Sequence, residues 1–215
     1  MPKLYVSNSE KSIRMFKSDF LESLSKVRFY VPLIIYIPVI GIFIWYALAK
    51  IESPFLYFIE LFILGVFIWT LTEYVLHRFL FHFISSAGWA KRIIWTFHGV
   101  HHDYPRDKLR LVMPPSASIP LATLFFFLFL WICGKPAVFS FFPGFLLGYL
   151  IYDMMHYALH HYRFKSSVMH TLMKHHALHH YKDESKAYGV SSPLWDYVFH
   201  TNFPKEDLKT SQRTE

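Results

Sequence analysis

Long apolar runs separated by polar segments dominate the first two thirds of this 215-residue chain. Runs that approach the roughly 20 apolar residues needed to cross a bilayer predict transmembrane helices at residues 30–49, 55–76, 119–133 and 137–155. The third run is short, so it either lies obliquely or pairs with the fourth as a helical hairpin around Gly134, Lys135 and Pro136. A buried helix of a soluble core is an alternative for that run alone. The pattern therefore predicts an all-α integral membrane protein with four transmembrane helices.

Composition and charge agree with a membrane protein. Hydrophobic residues make up 53% of the chain and charged residues only 17%, whereas about 25% is usual in a soluble domain. Lysines and arginines precede the first run, lie between the second and third, and follow the fourth, while the tight connections at 50–54 and 134–136 carry one lysine each. The positive-inside rule then predicts that both termini and the central loop are cytoplasmic. We expect no nucleic-acid binding, because no basic stripe with stacking aromatics lies outside the runs.

The chain is expected to form one membrane unit. We predict a cytosolic N-terminal segment at residues 1–28 and a single membrane domain at 29–215, with a cytosolic helical cap formed by residues 77–118 and 156–201. The single cysteine, Cys133, excludes an intrachain disulfide and a multi-thiolate metal site. The N-terminus lacks a cleavable signal pattern, so the first run is expected to be its own insertion signal.

Most of the 14 histidines fall into four clusters, which adjoin the predicted cytoplasmic ends of the runs. The clusters are His77 with His82; His98, His101 and His102; His156, His160 and His161; and His175, His176, His179 and His180. Imidazole is a common ligand of zinc and iron, and one ion rarely accepts more than about four to six ligands. The clusters therefore predict two metal ions. Histidine tracts that buffer metal lack such ordered spacing.

The spacing also predicts how ligands are shared between the ions. The pattern His-x-x-His-His occurs twice, at residues 98–102 and 176–180. On a helix, positions i and i+4 share a face and i+3 lies beside it, so each triplet can serve one ion and pass a third ligand to the other. His77 and His82 diverge by about 140° on an ideal helix. We therefore expect them to face different ions or to straddle a helix end.

Two carboxylates lie close to the clusters in the sequence. Glu73 is one turn before His77, and Asp153 is three residues before His156. Either can accept a hydrogen bond from a ligand's free N–H, or be a buried acid satisfied by a tyrosine or an arginine. Asp153 is the stronger candidate, because a carboxylate at the end of a membrane span is costly without a partner or a role. We predict that Asp153 and Tyr152 are catalytic residues that orient a ligand or the polar head of the substrate.

At these motifs the chain resembles the fatty acid 2-hydroxylase family, within the fatty acid hydroxylase and sterol desaturase superfamily. The matching segments are residues 73–82, 98–102, 110–115, 152–161 and 176–181, and the resemblance covers roughly residues 55–201. The histidine spacing is shared across the superfamily. The Arg-Leu-Val-Met-Pro-Pro segment at 110–115 and the Tyr-Asp pair at 152–153 are more specific to the 2-hydroxylases.

The resemblance implies a four-helix membrane domain whose cap holds a dimetal centre that hydroxylates C2 of a long acyl chain, either of a free fatty acid or of a ceramide-like lipid. It implies ten metal ligands: His77, His82, His98, His101, His102, His156, His160, His176, His179 and His180. The remaining histidines, His161, His170, His175 and His200, are then expected at the surface or in support of a ligand. Iron is the expected native metal, and zinc fits the same ligands by affinity.

The resemblance also suggests partners. Many family members carry an N-terminal cytochrome b5 domain, whose haem needs two axial histidines, but the first histidine here is His77. We therefore expect electrons from a separate cytochrome b5, or from a ferredoxin with its reductase. The expected location is the inner membrane of a bacterium or the endoplasmic reticulum of a eukaryote.

Two other functions remain open. A sterol, carotenoid or alkane oxygenase would use the same chemistry. A membrane metal-binding or transport protein would instead spread its ligands through the spans.

Overall fold

The computed structural model describes residues 4–209, which fold into helices joined by turns and loops. The helices are α1 (Asp19–Leu24), α2 (Val31–Ala49), α3 (Phe55–Val75), π1 (Leu76–Phe81), α4 (Gly88–Ile94), π2 (Trp95–Gly99), α5 (Val100–Asp103), α6 (Pro115–His161), α7 (Ser167–Tyr181), α8 (Leu194–Val198) and α9 (Lys205–Lys209). The segments π1 and π2 have π-helical hydrogen bonding, and π1 continues directly from α3. The predicted all-helical class is confirmed.

Three helices within residues 4–209 are long and apolar enough to cross a membrane. They are Val31–Ala49, Phe55–Phe81 and Pro115–His161. The first coincides with the predicted run at 30–49, apart from Tyr30, which caps the helix. The second begins where predicted and extends past residue 76, because π1 continues the helix to Phe81 and adds the polar residues His77 and Arg78.

The third and fourth predicted runs lie within α6, which is folded at Gly134. Gly134 has φ 77° and ψ 170°, a conformation that glycine adopts without the steric penalty of a Cβ. Aromatic pairs join the two parts, with ring centroids 4.8 Å apart for Phe129–Phe141 and 5.1 Å apart for Phe125–Phe145. Because the pairing order reverses along the chain, the parts run antiparallel. The predicted hairpin at Gly134 is therefore present, and its helices are longer than the apolar runs.

The chain divides into two compact units. We call the first the histidine unit; it comprises Met1–Met15, Thr72–Leu111 and Met155–Glu215, as far as these are described. The second, the span unit, comprises Phe16–Leu71 and Val112–Met154. The single membrane domain over residues 29–215 stays a prediction.

Small residues let two helices of the span unit approach closely. A Cβ placed on Gly144 of α6 would lie 2.7 Å from the carbonyl carbon of Phe62 in α3, and one on Gly148 would lie 2.8 Å from Cγ of Trp69. The Trp69 ring also contacts the rings of Phe145 and Tyr149, at 5.1 and 5.4 Å between centroids. Close backbone contact at small residues is a common means of packing helices inside membranes.

The N-terminal segment of the histidine unit is held by side chains and backbone. The N–H groups of Val6 and Ser7 donate to the carbonyl oxygen of Asp103, at 2.9 and 3.0 Å. The buried guanidinium of Arg110 donates from Nη2 to the carbonyl oxygen of Ile13 at 2.6 Å. Through this hydrogen bond Arg110, the first residue of the segment at 110–115, anchors the N-terminal segment.

Candidate metal centre

The structure brings ten histidine side chains together in two groups of five within the histidine unit. In each group one ring nitrogen per residue lies within 4.8 Å of all the others. The first group is His77, His82, His98, His102 and His179, and the second is His101, His156, His160, His176 and His180. These are the ten histidines that the motifs predicted as ligands, and nearly all of them are buried.

The spacing of the ring nitrogens suits a metal ion in each group. In the first group, Nε2 of His98 lies 3.0 Å from Nε2 of His77 and 3.0 Å from Nε2 of His102. In the second, Nε2 of His160 lies 2.8 Å from Nε2 of His176. Two imidazole nitrogens that are each about 2.1 Å from one ion, at right angles, are about 3.0 Å apart. The donor sets therefore fit one cation each.

Both His-x-x-His-His triplets divide their ligands between the groups. In each triplet the i and i+4 members share a group and the i+3 member joins the other. The first group takes His98 and His102 from one triplet and His179 from the other, and the second group takes His176 and His180 with His101. This arrangement is the one that helical spacing predicts, and it ties the two groups into one cluster.

His77 and His82 belong to the same group, with ring centroids 5.0 Å apart, so the option that they face different ions is wrong. The reason is π1. A π-helix is closed by i→i+5 hydrogen bonds, and the N–H of His82 donates to the carbonyl oxygen of His77 at 3.1 Å. The wider turn brings positions i and i+5 above one another. His82 also lies directly after π1, at a helix end, as the other option expected.

Burial favours the neutral form of the grouped histidines. Burial, reinforced by neighbouring imidazoles, lowers the pKa of His98, His101 and His102 well below the usual value. Burial lowers the pKa of His82 to about 4. Taking a charged imidazolium out of water is unfavourable, so these rings carry a free lone pair at neutral pH. A neutral imidazole is the form that binds a metal.

Backbone carbonyls orient two ligands of the first group. Nδ1–H of His77 donates to the carbonyl oxygen of Tyr188 at 2.6 Å, and Nδ1–H of His179 donates to that of Lys186 at 2.6 Å. A carbonyl oxygen only accepts hydrogen bonds, so Nδ1 carries the proton in both rings and Nε2 is left for an ion. Nδ1 of His176 and His180 in the second group, and Nδ1 of His102 in the first, have no hydrogen-bond partner among the described residues. The carbonyls of Lys186 and Tyr188 thus orient two of the five imidazoles of the first group.

Glu73 does not bond a ligand, in contrast to the role considered for it. Its Oε1 accepts the N–H groups of Val190 and Ser191, at 2.6 and 2.8 Å, and its Oε2 accepts the hydroxyl of Ser191. The Nδ1 of His77 is taken by Tyr188 instead. Glu73 therefore acts on the loop that supplies the carbonyl and not on the imidazole.

Asp153 and Tyr152 are buried in the span unit. The Asp153 carboxylate accepts the N–H of Met113 at 3.2 Å and the hydroxyl of Tyr149 at 3.1 Å. The Tyr152 ring lies 5.9 Å from that of Trp69. Asp153 is thus a buried acid satisfied in part by a tyrosine, which was the alternative to a ligand contact. That these two residues orient a ligand or substrate stays a prediction.

A small apolar recess, partly open to the surroundings, lies beside Asp153 in the span unit. Met113 and Tyr149, the two hydrogen-bond donors to Asp153, both line it. The other lining residues are Trp69, Ser118, Leu121, Ala122, Phe125, Phe145 and Leu146. The recess therefore offers apolar walls with a carboxylate bonded to one edge.

One residue important to the site, Asp196, was missed from the sequence. His175, which was expected at the surface or in support of a ligand, is buried, and its Nε2 lies 3.2 Å from Oδ2 of Asp196. Asp196, fully buried, also accepts backbone N–H groups from the loop beside the first group. Its sequence signal was its place within residues 55–201, the range that the family resemblance covers. His200 is exposed, and His161 and His170 are half-buried.

Comparisons with known proteins agree on one family. A family model described as "Fatty acid hydroxylase" matches residues 62–201. A "Fatty acid 2-hydroxylase" of Rattus norvegicus is 39% identical over 91% of this chain and 58% of that protein. A "Dihydroceramide fatty acyl 2-hydroxylase" of Arabidopsis thaliana is 38% identical over 87% of this chain and 79% of that protein. The chain thus spans little more than half the length of the rat relative.

A solved structure shares the fold. It is titled "Full length scs7p (only hydroxylase domain visible)" and superimposes with a TM-score of 0.82 at 39% identity. The match covers 86% of this chain and 70% of that one.

Proposed function

Since the chain belongs to the fatty acid hydroxylase family, we propose that it is an O2-dependent monooxygenase that hydroxylates C2 of a long acyl chain. The acyl chain is that of a free fatty acid or the N-acyl chain of a ceramide-like lipid. The observation that carries the proposal is the pair of buried five-histidine groups in a chain whose helices are long and apolar enough to cross a membrane. The names of the relatives support the C2 position and the lipid class.

The ten histidines hold two metal ions in this proposal, one in each group. Metal ions at such a site supply the O2 activation that hydroxylation of an unreactive C–H bond requires. We expect iron in the active enzyme. The imidazole ligands also accept zinc, which stands above iron(II) in affinity, so a purified sample can contain zinc.

The chain's own residues position the substrate and exclude water. The apolar recess of the span unit is suited to methylene groups, and the Asp153 carboxylate beside it is suited to hydrogen bonding near a polar head. In this role Asp153 and Tyr152 set the position of the lipid head. Buried neutral imidazoles keep the ligand nitrogens unprotonated.

The topology we propose has four spans. The two parts of α6, at residues 115–133 and 135–161, would be the third and fourth, joined at Gly134. Basic residues are concentrated before α2, between π1 and α6, and after α6. By the positive-inside rule, both termini and the histidine unit face the cytoplasm.

Electrons come from outside these 215 residues in this proposal. The 215 residues contain one cysteine and no Gly-x-Gly-x-x-Gly motif, so they offer neither an iron–sulfur site nor a dinucleotide fingerprint. A cytochrome b5, or a ferredoxin with its reductase, would deliver one electron at a time.

Expression in a host without 2-hydroxylated lipids tests the function. Free fatty acids and ceramides are separated before hydrolysis, and each fraction is analysed by mass spectrometry under ¹⁸O2. We expect a 2-hydroxy acid that carries ¹⁸O, and its fraction identifies the substrate. A chain with His102→Ala is the inactive control.

The other results each name a different function. Label from water would overturn the oxygenase assignment. Hydroxylation of sterols, carotenoids or alkanes alone would replace the lipid class, and two bound metals without any hydroxylated lipid would favour a metal-binding protein.

A further inference from the structure

We propose that Asp196 and Glu73 are positioning residues for the first histidine group, acting through the loop at residues 186–191, which we call the carbonyl loop. The two carboxylates hold the backbone of this loop, and the loop holds the imidazoles of His77 and His179. The inference rests on the proposed function in one respect, namely that each histidine group binds a metal ion.

The N–H groups of the carbonyl loop are bound to the two acids. Four consecutive backbone N–H groups donate to carboxylate oxygens, so this stretch of backbone is fixed residue by residue. Tyr188 and Gly189 donate to Oδ1 and Oδ2 of Asp196 at 2.9 and 2.8 Å, and Val190 and Ser191 donate to Oε1 of Glu73 at 2.6 and 2.8 Å. Hydrogen bonds from backbone N–H groups to buried carboxylates are among the stronger ones in proteins.

The carbonyl groups of the same loop are bound to the ligands. The carbonyl oxygens of Lys186 and Tyr188 accept Nδ1–H of His179 and His77, each at 2.6 Å. Both ligands belong to the first group, as defined above. A shift of the loop would therefore move two of the five ligands of one group, while the second group takes no such bond from these two carbonyls.

Backbone strain shows that the loop depends on its partners. Ala187 lies between the two carbonyl-bearing residues, is fully buried and has φ 60°, in the left-handed region that residues with a Cβ avoid. Its N–H donates to the carbonyl oxygen of Thr201 at 2.8 Å. Thr201 is in turn tied to Asp196, by Oγ1 to Oδ1 at 2.7 Å and by its N–H to the Asp196 carbonyl oxygen at 2.8 Å. Asp196 thus supports the strained residue as well.

The two acids differ in how an amide could replace them. Each carboxylate oxygen of Asp196 accepts a backbone N–H, so either orientation of an asparagine would turn its NH2 against a backbone donor. Glu73 accepts both of its backbone N–H groups on Oε1, while Oε2 meets a hydroxyl. A glutamine there keeps the oxygen on the two N–H groups and donates to the hydroxyl of Ser191. Asp196→Asn should therefore disturb the loop, and Glu73→Gln should do so far less than Glu73→Ala.

The experiment measures metal retention. Purified full-length protein in detergent is loaded with zinc, challenged with a chelator, and assayed for zinc per chain over time. We expect two ions in the wild type. Asp196→Asn and Glu73→Ala should bind one ion with an affinity about 10 to 100 times lower than the wild type, the range typical for the loss of groups that orient a ligand, and should lose that ion to the chelator sooner. Glu73→Gln should stay close to the wild-type rate. Asp207→Asn is the matched control, because that carboxylate pairs with Lys182 and with no group of the carbonyl loop.

Double variants assign the ion that is lost. Adding His176→Ala to Asp196→Asn should remove the remaining ion, whereas adding His82→Ala should leave it. The inference is overturned if Asp196→Asn keeps both ions at the wild-type rate, or if it loses both together. A wild-type chain that fails to bind two ions would overturn the proposed function itself, and the inference with it.

Discussion

The close contact between α3 and α6 gives a prediction of opposite sign for one substitution at two glycines. Gly144 of α6 faces the backbone of Phe62, and an added Cβ would lie 2.7 Å from its carbonyl carbon and 3.0 Å from its Cα. Gly41 of α2 has no other atom within 4 Å of such a Cβ. Gly144→Ala should therefore destabilise the protein and Gly41→Ala should stabilise it.

The magnitude follows from the geometry at Gly144. The carbonyl oxygen of Phe62 would lie even nearer to the new Cβ than the carbonyl carbon at 2.7 Å, so α3 and α6 must separate by more than about 0.7 Å to restore an ordinary contact of 3.4 Å. Backbone atoms cannot turn aside as a side chain does, so we place the penalty at the upper end of the range for overpacking, about 3 kcal/mol. Alanine recovers about 1 kcal/mol in helix propensity, which leaves a net loss of about 2 kcal/mol. At Gly41 only the gain of about 0.5–1 kcal/mol applies.

The assay is the apparent midpoint of thermal unfolding in detergent, followed by circular dichroism and by the monodisperse fraction that remains after heating. With about 2–4 °C per kcal/mol for a chain of this size, Gly144→Ala should lower the midpoint by about 4–8 °C. Gly41→Ala should raise it by about 1–4 °C. A Gly144→Ala protein as stable as Gly41→Ala would refute the packing argument, because the two variants differ only in what the new methyl group meets.

Three further predictions concern the site. His179→Ala should remove metal from the first group and abolish activity while the protein stays inserted in the membrane, as measured by elemental analysis and by carbonate extraction; full metal content would contradict this. Asp153→Asn should reduce turnover more than metal content, and wild-type turnover would make the residue structural only. With purified cytochrome b5 as donor, the rate should fall as ionic strength rises, because the basic residues Lys91, Arg92, Lys182 and Lys186 are expected to attract an acidic donor. A rate independent of salt would exclude this role for them.

The apolar runs were sufficient to predict the helices that are long and apolar enough to cross a membrane, because such helices are defined by length and composition. The runs at 30–49 and 55–76 agree with the observed helices to within a residue at their starts. The first and last residues of α6 could not be predicted from the apolar runs. Residues 115–118 and 156–161 continue its helical structure beyond the apolar runs, and hydrogen bonding, not hydrophobicity, decides where a helix ends.

The family and the ligand candidates were also accessible from the motifs, and the family assignment is confirmed. The spacing of His98, His101 and His102 was enough to predict how the triplet divides, since α-helical geometry relates spacing to direction. The pairing of His77 with His82 could not be predicted from their spacing, because in a π-helix residues five apart point in similar directions and in an α-helix they do not. The contacts of Asp196 could not be predicted for another reason. Its carboxylate accepts backbone N–H groups, which every residue except proline carries, so the sequence does not indicate which of them it meets.

The π-helical turn at π1 makes one ligand pair tolerant of a change in chain length. Deleting Phe79 or Leu80, whose side chains are more than half exposed, would leave His77 and the second histidine at a spacing of four. An ordinary α-helix places that spacing on one face, and the non-helical residues 83–87 can absorb the shift of about 1.5 Å. A deletion between His176 and His180 in α7 would instead shorten a spacing of four to three, and the two imidazoles would no longer lie on the same face of the α-helix. We therefore expect this chain to tolerate the loss of one residue between His77 and His82, and not the loss of one between His176 and His180.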